Sequence, residues 1–507
     1  MTWSMETSVG HEAFKIKWDL VEYTNGTGLD LGCGHSKAFP HFIGVDNGHH
    51  WGTAGADIAV KTCEDLSIFA GQSMDFVFSS HLLEHIQDTK AALKEWWRVL
   101  KVGGRLCLYL PHKDLYPNCG QPGSNPDHKH DFMPDDIEGI MKEIGGWDMV
   151  RNETRAETNE YSFFQVYRKL ASDKHRYSYR EPKPAKTACV VRYGAFGDAI
   201  QTASVLPLLK AQGYHVTVYT TSVGHEVLKS DPHIDKFVLQ ANDQIPNKDL
   251  GEFWGNLATR FDKFVNFSES VERSLLAMPG STIHKWPKSQ RHNFLNHNYV
   301  EFMHSIAELP YKPAPKFYPT DDEKSWARKE KNKMGGQVIL WSLAGSAVHK
   351  TWPHLDAAIA RIMLRDKTTK VVLVGDELCQ LLEAGWENEP RVICRSGKWS
   401  IRESLAFAQV ADLVIGSETG VLNAVGMDNV PKIVCMSHSS VENLTRDWIN
   451  CTSLEPKTSC YPCHQMHYNF DHCRRDDVTG VAQCQADITV DDMWSAIVGH
   501  LDKREAA

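Results

Sequence analysis

Residues 190–202, Val-Val-Arg-Tyr-Gly-Ala-Phe-Gly-Asp-Ala-Ile-Gln-Thr, constrain the fold more than any other stretch of the chain. An apolar, β-rich run enters a turn with two glycines, and an apolar helical pattern follows. Gly194 and Gly197 let the backbone bend tightly and approach a ligand closely. Asp198 stands where the helix begins, beside free backbone N–H groups. One nucleotide-fold α/β segment precedes this stretch and another follows it. At 507 residues the chain is too long for one core, and about three globular units are expected.

The balance of 55 basic against 64 acidic residues, a net charge of −9, argues against broad duplex binding, which needs a basic surface. A local basic groove stays open. The N-terminus lacks the basic-then-apolar order of a signal peptide. No apolar run is long enough to span a bilayer, although peripheral membrane contact remains open. The 13 cysteines are scattered except near the C-terminus, and reduced thiols in the cytoplasm are expected. Residues 171–186 are polar, basic and proline-bearing, and read as an extended linker.

Ahead of the linker, Gly28-Leu-Asp30-Leu-Gly32-Cys-Gly34 is a short strand ending in a glycine turn. Phe42 to Asp46 is a second strand ending in an acid, which can take both hydroxyls of a ribose. Asp75 to Ser80 is a third strand, followed by His81-Leu-Leu-Glu-His-Ile86. Leu93, Trp96, Trp97 and Leu100 then recur at helical spacing, which makes the tryptophans core residues. Arg105 to Leu110 and Tyr161 to Tyr167 complete the strand pattern.

This ordered set, over residues 20–115, resembles the class I S-adenosylmethionine-dependent methyltransferases of the type 11-like group. The resemblance implies S-adenosyl-L-methionine as cofactor. It places Asp30, Gly32 and Gly34 at its methionine end, Asp46 on its ribose, and Glu64, Asp65 and Leu66 near its adenine. It places Ser80 and His81 at the strand tip facing the methyl group. Ser36 stands where the family has a third glycine, and the step of twelve from Gly34 to Asp46 leaves no room for a long helix. His112, His128 and His130 lie in loops where a substrate enters, and each can take a proton from a hydroxyl. Solvated or capping roles are the plain alternative, and no metal is assigned.

After the linker, strands alternate with helices again. Thr187 to Tyr193 is a strand, with a helix from Asp198 to about Gln212, and His215 to Thr220 and Phe264 to Phe267 are further strands. Val338 to Leu343, Val371 to Gly375, Asp412 to Ile415 and Lys432 to Met436, read as the last strand, form a second set. Two α/β halves imply a cleft between them.

Three motifs here, Arg192-Tyr-Gly-Ala-Phe-Gly-Asp198, Gly345-Ser346 with Lys350-Thr-Trp352-Pro353, and Gly416-Ser-Glu418-Thr-Gly420, resemble those of the GT-B glycosyltransferases of family 9, the ADP-heptose heptosyltransferases and their relatives. The stretch 240–310 matches poorly. The resemblance implies that Asp198 is the base for an inverting, metal-independent transfer from a nucleotide sugar to a glycan or glycoconjugate. Its plain alternative is a helix cap. Ser346 and Lys350 would steady the departing diphosphate, as would the N–H groups of Thr419, Gly420 and Val421. Asp376 or Glu377 would meet the donor ribose. Glu418 and Asn423 stand where many relatives have Asp and then His, which leaves the donor sugar and nucleobase open.

The tail holds Cys460, Cys463, Cys473 and Cys484, for which zinc, disulfides or plain packing all remain readings. Val490 to His500 reads as a helix packing back on the first half of the pair.

The expected fold class is therefore α/β. A Rossmann-like methyltransferase domain (1–170) and a linker (171–186) precede a GT-B pair of Rossmann-like domains (187–318 for acceptor, 319–507 for donor). Two alternatives to paired action on a glycan are hypermodification of nucleic-acid bases or protein by the same chemistries, and one half serving only as scaffold.

Overall fold

The computed structural model describes residues 12–48, 55–157, 159–268 and 270–505. The chain forms two compact units: the first takes everything up to Ala185 together with Leu239–Arg260, and the second takes Lys186–Val238 and all that follows from Phe261. Among the described residues no helix is long and apolar enough to cross a membrane.

The first unit holds strands β1 (Gly28–Leu31), β2 (Ile43–Asp46), β3 (Ile58–Ala59), β4 (Met74–Ser80), β5 (Leu100–Pro111), β6 (Trp147–Arg155), β7 (Ser162–Lys169) and β8 (His175–Arg176). They form one sheet in the order β3-β2-β1-β4-β5-β7-β6-β8. The strands β1, β2, β4 and β5 run parallel, and β7 is antiparallel to both β5 and β6. Parallel strands covered on both faces are apolar throughout, as Leu29, Leu31, Phe76, Val77 and Phe78 show by their complete burial. Leu93 and Trp96 from the helix Thr89–Val99 join this core, with Ile137 and Met141 from Pro134–Ile144. Trp96 donates its ring N–H to the carbonyl of Cys63 at 2.8 Å, so its polar tip is satisfied inside the core. Trp96 and Trp97 are both core residues, as the spacing predicts. No helix intervenes between β1 and β2.

Three features of this unit differ from the sequence reading. The strand β6 is not predicted by pattern, because Trp147 to Arg155 is nearly half charged and lacks alternation. Part of the expected linker is built into the sheet: β8 pairs with β6, and Tyr177 and Tyr179 pack against the core. Residues 239–260 belong here although they lie far along the chain. Gln244 donates to the carbonyl of Val21 at 2.8 Å, and Trp18 donates to Glu252 at 3.1 Å. Phe253 buries its ring 5.8 Å from that of Trp18. Arg260, Arg151 and Arg155 surround the buried Asp19 carboxylate at 3.0, 2.9 and 3.3 Å. A buried carboxylate needs such partners.

The second unit holds β9 (Thr187–Arg192), β10 (His215–Thr220), β11 (Lys236–Leu239) and β12 (Lys263–Asn266), in the order β11-β10-β9-β12. A second sheet holds β13 (Val338–Ser342), β14 (Lys370–Val374), β15 (Val392–Cys394), β16 (Leu413–Ser417), β17 (Lys432–Cys435) and β18 (Cys451–Leu454). Its order is β15-β14-β13-β16-β17-β18, and every pairing is parallel. The fold class is α/β, with one Rossmann-like sheet in the first unit and two further sheets in the second. Lys432–Cys435 is not the last strand, since β18 follows it. The helix expected over 198–212 is broken into Phe196–Thr202, a 3-10 turn and Leu206–Ala211. Pro207 lacks the N–H that a continuous helix would use. The C-terminal helix Val490–Glu505 does not pack on the first sheet's half. Met493, Ile497 and Leu501 join the core of the second sheet beside Ile339, Leu373 and Ile433.

Candidate active sites

In the second unit, the glycine turns after β9, β13, β14 and β16 open onto one cavity of about 570 Å³. Its wall includes Asp198, Ser346, Lys350, Asp376, Glu377, Glu418, Thr419, Gly420 and Val421. All the donor and base residues expected from the motifs therefore share one enclosure. Close approach of the two halves depends on bare backbone. A Cβ on Gly420 would lie 3.0 Å from Cβ of Phe196 and 3.2 Å from the N of Gly197. A Cβ on Gly345 would strike the Lys350 stem at 2.7 Å.

Asp198 sits in the first turn of Phe196–Thr202, about one-third exposed, and accepts the N–H of Ala195 at 3.0 Å. It caps its own helix while its other oxygen lies 3.0 Å from the buried Arg192 guanidinium. Arg192 is also held by Glu272 at 2.8 Å and donates to the Phe267 carbonyl at 2.6 Å. Burial pulls the Lys350 ammonium below its ordinary value, opposed by the Glu418 and Asp198 carboxylates. Glu418 is buried. Its Oε1 accepts the N–H of Ser437 at 2.6 Å, and its Oε2 lies 2.6 Å from Nδ1 of His438. Burial raises the Glu418 carboxyl, but His438, Lys350 and the Ser437 N–H outweigh it and leave it below the usual carboxylate range. Thr419 makes no side-chain cap at the helix Gly420–Ala424, and its hydroxyl instead meets that of Ser342 at 3.1 Å. Asn423 accepts from Gln201 at 3.1 Å, a link between the two halves. Asp376 caps its own turn through the N–H of Cys379 at 3.1 Å. The motifs do not single out Glu272, His438 or Gln201, since none lies in a glycine turn.

In the first unit, Gly32 and Gly34 take φ of +71° and +54°, conformations that favour glycine and leave two positions of the turn after β1 as bare backbone on either side of Cys33. Asp46 at the tip of β2 accepts the N–H of Gly34 at 2.9 Å and of Gly48 at 2.7 Å. Asp30 is buried and accepts from Ala38 at 2.8 Å, and burial raises its carboxyl to about 7. Glu64 and Asp65 follow β3, with Glu64 bound to the Thr62 hydroxyl at 2.9 Å and Asp65 to the Ser67 N–H at 2.9 Å. Hydrogen bonds from Ser67 draw the Asp65 carboxyl below its ordinary value.

Beyond β4 lies a polar interior. The hydroxyls of Ser79 and Ser80 are buried without a partner, as are both carboxylate oxygens of Glu84. Such orphaned groups are costly in an apolar interior, and they lie at the end of the sheet where a cofactor's reacting group would be met. His81 has φ of +48°, a left-handed conformation rare for a side-chain-bearing residue. Its Nε2 meets the Ser162 hydroxyl at 2.9 Å, and burial pushes its imidazole down to about 3. Burial pushes the Glu84 carboxyl up to about 8 and the His128 imidazole down to about 4. His112 is buried and accepts the Asp114 N–H at 3.2 Å, and His130 lies 3.3 Å from the Gln87 carbonyl.

Residues 29–108 match the family model described as a methyltransferase domain. The chain therefore carries a methyltransferase domain. That domain is similar in structure to an S-adenosylmethionine-dependent methyltransferase from Thermotoga maritima, with 19% identity, 31% of this chain and 89% of that one covered, and a TM-score of 0.26. The chain is also similar in structure to a family 9 glycosyltransferase from Veillonella parvula, with 16% identity over 64% of this chain and 99% of that one, and a TM-score of 0.48. It is also similar to the ADP-heptose heptosyltransferase II of E. coli, with 16% identity, 63% and 99% coverage and a TM-score of 0.44. A comparison with curated proteins finds no match. The molecule is a transferase.

None of the 13 cysteines is paired with another in the structure. Among the described residues, the group that brings three ligand atoms within 4.8 Å of one another is Glu84, His85 and His128 of the methyltransferase domain. The tail cysteines do not.

Proposed function

We propose that this chain is a bifunctional transferase: S-adenosylmethionine-dependent methyl transfer to a glycan hydroxyl, and inverting, metal-independent glycosyl transfer from a nucleotide sugar. The observation that carries the second activity is the convergence of three separate motifs on one cavity. Asp198 faces that cavity from a helix start, where it can take the acceptor hydroxyl proton. Lys350, the Ser346 hydroxyl and the uncapped N–H groups of Thr419 to Val421 are suited to the negative charge of a leaving diphosphate. Asp376 or Glu377 would hold the donor ribose. An ADP-heptose-like donor follows from the motif resemblance. The acceptor half is taken as 187–318 and the donor half as 319–507.

The methyltransferase domain supports the first activity. S-adenosylmethionine, when bound, supplies an electrophilic methyl group. The glycine turn at Gly32 and Gly34 would receive its backbone end, with Asp30 close by, and Asp46 keeps lone pairs for its ribose. Glu64 and Asp65 would flank its adenine, and Ser80 and His81 would line the acceptor side with His112. The cytoplasm is the expected place for both donors.

The test is to incubate the full chain with labelled S-adenosylmethionine and a panel of ADP, UDP, GDP and CMP sugars, with glycan acceptors and with EDTA. One nucleotide sugar should release its nucleotide despite EDTA, and Asp198→Ala should abolish that release. Release that survives Asp198→Ala, or no release from any donor, would refute the glycosyl-transfer reading.

A further inference from the structure

Glu84 presents a specific problem. It sits in the 3-10 turn Leu83–His85 after β4, with no solvent exposure, and neither carboxylate oxygen has a hydrogen-bond donor. A buried carboxyl without hydrogen-bond partners is costly in either form, and it is relieved by taking up a proton or by meeting a cation. Its Oε1 lies 3.9 Å from Nε2 of His85 and 3.8 Å from Nε2 of His128. His81 adds an Nδ1 at 3.8 Å from the same oxygen.

The surroundings orient the two closest imidazoles. Nδ1 of His85 lies 3.2 Å from the carbonyl of Asp127, which can only accept, so that contact favours the proton on Nδ1 and orients the ring with its Nε2 toward Glu84. The loop bearing His128 is pinned to the same residue, because the N–H groups of Lys129 and His130 both donate to the Glu84 carbonyl, at 2.8 and 3.3 Å. The His85 and His128 rings meet edge to face with centroids 4.7 Å apart, and Tyr116 lies against His128 at 5.3 Å. Ligands around a four-coordinate zinc-sized ion stand roughly 3.4 Å apart. Closing from 3.8–3.9 Å needs only small side-chain shifts.

We propose that Glu84, His85 and His128 bind one divalent transition-metal ion in the methyltransferase domain, with His81 beside them. Two imidazoles and one carboxylate are the donor set for zinc, iron, cobalt or manganese rather than for calcium. Three protein ligands leave coordination positions open, as in catalytic rather than structural sites. The site follows directly on Ser80 and His81. If the methyl-transfer reading above holds, the open positions face the acceptor, and the ion would favour a hydroxyl-bearing acceptor by lowering the pKa of the coordinated hydroxyl.

The full chain, stripped with a chelator and dialysed, is titrated with Co(II) and followed by visible absorption, with metal content measured per chain. The expected result is one Co(II) with ligand-field bands and no thiolate-to-cobalt charge-transfer band. Glu84→Gln and His128→Gln should each weaken binding by about 100-fold or more, while Cys463→Ser leaves it unchanged. Circular dichroism confirms that each variant is folded, and X-ray absorption on the zinc-loaded wild type gives an independent measure, expected to show nitrogen and oxygen ligands only. Absence of Co(II) binding, a thiolate band, or binding indifferent to Glu84→Gln and His128→Gln overturns the proposal. Calorimetry with S-adenosylhomocysteine separates the two readings: wild-type protein that binds cobalt but not this ligand keeps the metal site and loses the methyl-transfer reading.

Discussion

The two candidate sites are built in opposite ways. In the second unit, residues from four glycine turns meet in one cavity, and most charges there already have partners. Asp198 is held by Arg192 and its own helix start, and Glu418 by His438 and the Ser437 N–H. In the first unit, the interior beyond β4 keeps Ser79, Ser80 and Glu84 without partners. A paired site is organised before its ligand arrives, which favours stabilising charge that develops during reaction. A site with orphaned groups gains stability when something binds. The partly exposed Asp198 should therefore be needed by the second unit for its chemistry more than for its fold, whereas the buried charges Arg192 and Glu418 serve both. The first unit should respond to ligands and pH in its stability.

The largest effect expected on the paired side is from Asp198→Ala. Loss of a general base costs about 10²–10⁴-fold in rate. The fold should survive, because Arg192 retains Glu272 and the Phe267 carbonyl. Steady-state kinetics with an unchanged melting temperature would bear this out, whereas an unfolded variant would break the contrast.

Next in size is a core substitution in the segment that returns to the first unit. Phe253→Ala should destabilise that unit by about 3–5 kcal/mol, the usual cost of emptying a buried phenylalanine site. Denaturant unfolding followed by far-ultraviolet circular dichroism reads it. The same argument predicts that a fragment ending at Ala185 is less stable than the intact chain, since removing Gln244, Phe253 and Arg260 would leave Val21, Trp18 and Asp19 uncovered.

A smaller effect is expected at the junction of the two halves. Gly420→Ala places a methyl 3.0 Å from Phe196 and 3.2 Å from the Gly197 backbone, so overpacking should cost about 1–3 kcal/mol. Nucleotide-sugar affinity, measured by calorimetry, should fall with it.

The smallest, counted per step of one in pH, concerns Asp30. Asp30 holds its proton up to about 7 in the folded state, whereas an unfolded aspartate releases it at about 4. Between those values the unfolded chain binds fewer protons, so rising pH lowers stability, by at most about 1.4 kcal/mol for each step of one in pH. Below about pH 4 that stability is fully present. Asp30→Asn should flatten the slope between about pH 4 and 7 in chemical denaturation.

Much of this is legible in the chain because glycine turns after apolar strands have one use in a parallel sheet: they deliver backbone and short side chains to its carboxyl edge. That logic places Asp46, Asp198, Lys350 and Thr419 at strand ends. It cannot place what depends on distant chain crossings. Glu84 and His85 are adjacent in a run whose pattern looks like a helix entry, and His128 reaches them only through a loop folded back onto the Glu84 carbonyl. Residues 239–260 form an ordinary amphipathic helix with its flanks, and nothing in such a pattern says which core it serves. The helix at the C-terminus shows the same limit: its apolar face is evident, but its partner sheet is not.

The most direct test of two independent transferase sites is a thermal-shift titration of the intact chain with S-adenosylhomocysteine and with each nucleotide sugar, alone and together. A ligand that binds the folded state alone raises stability with the logarithm of its concentration over its dissociation constant. Two separate shifts, one from S-adenosylhomocysteine and one from a single nucleotide sugar, with both persisting when the ligands are combined, are predicted. A shift from only one class, or mutual exclusion of the two ligands, would contradict the account.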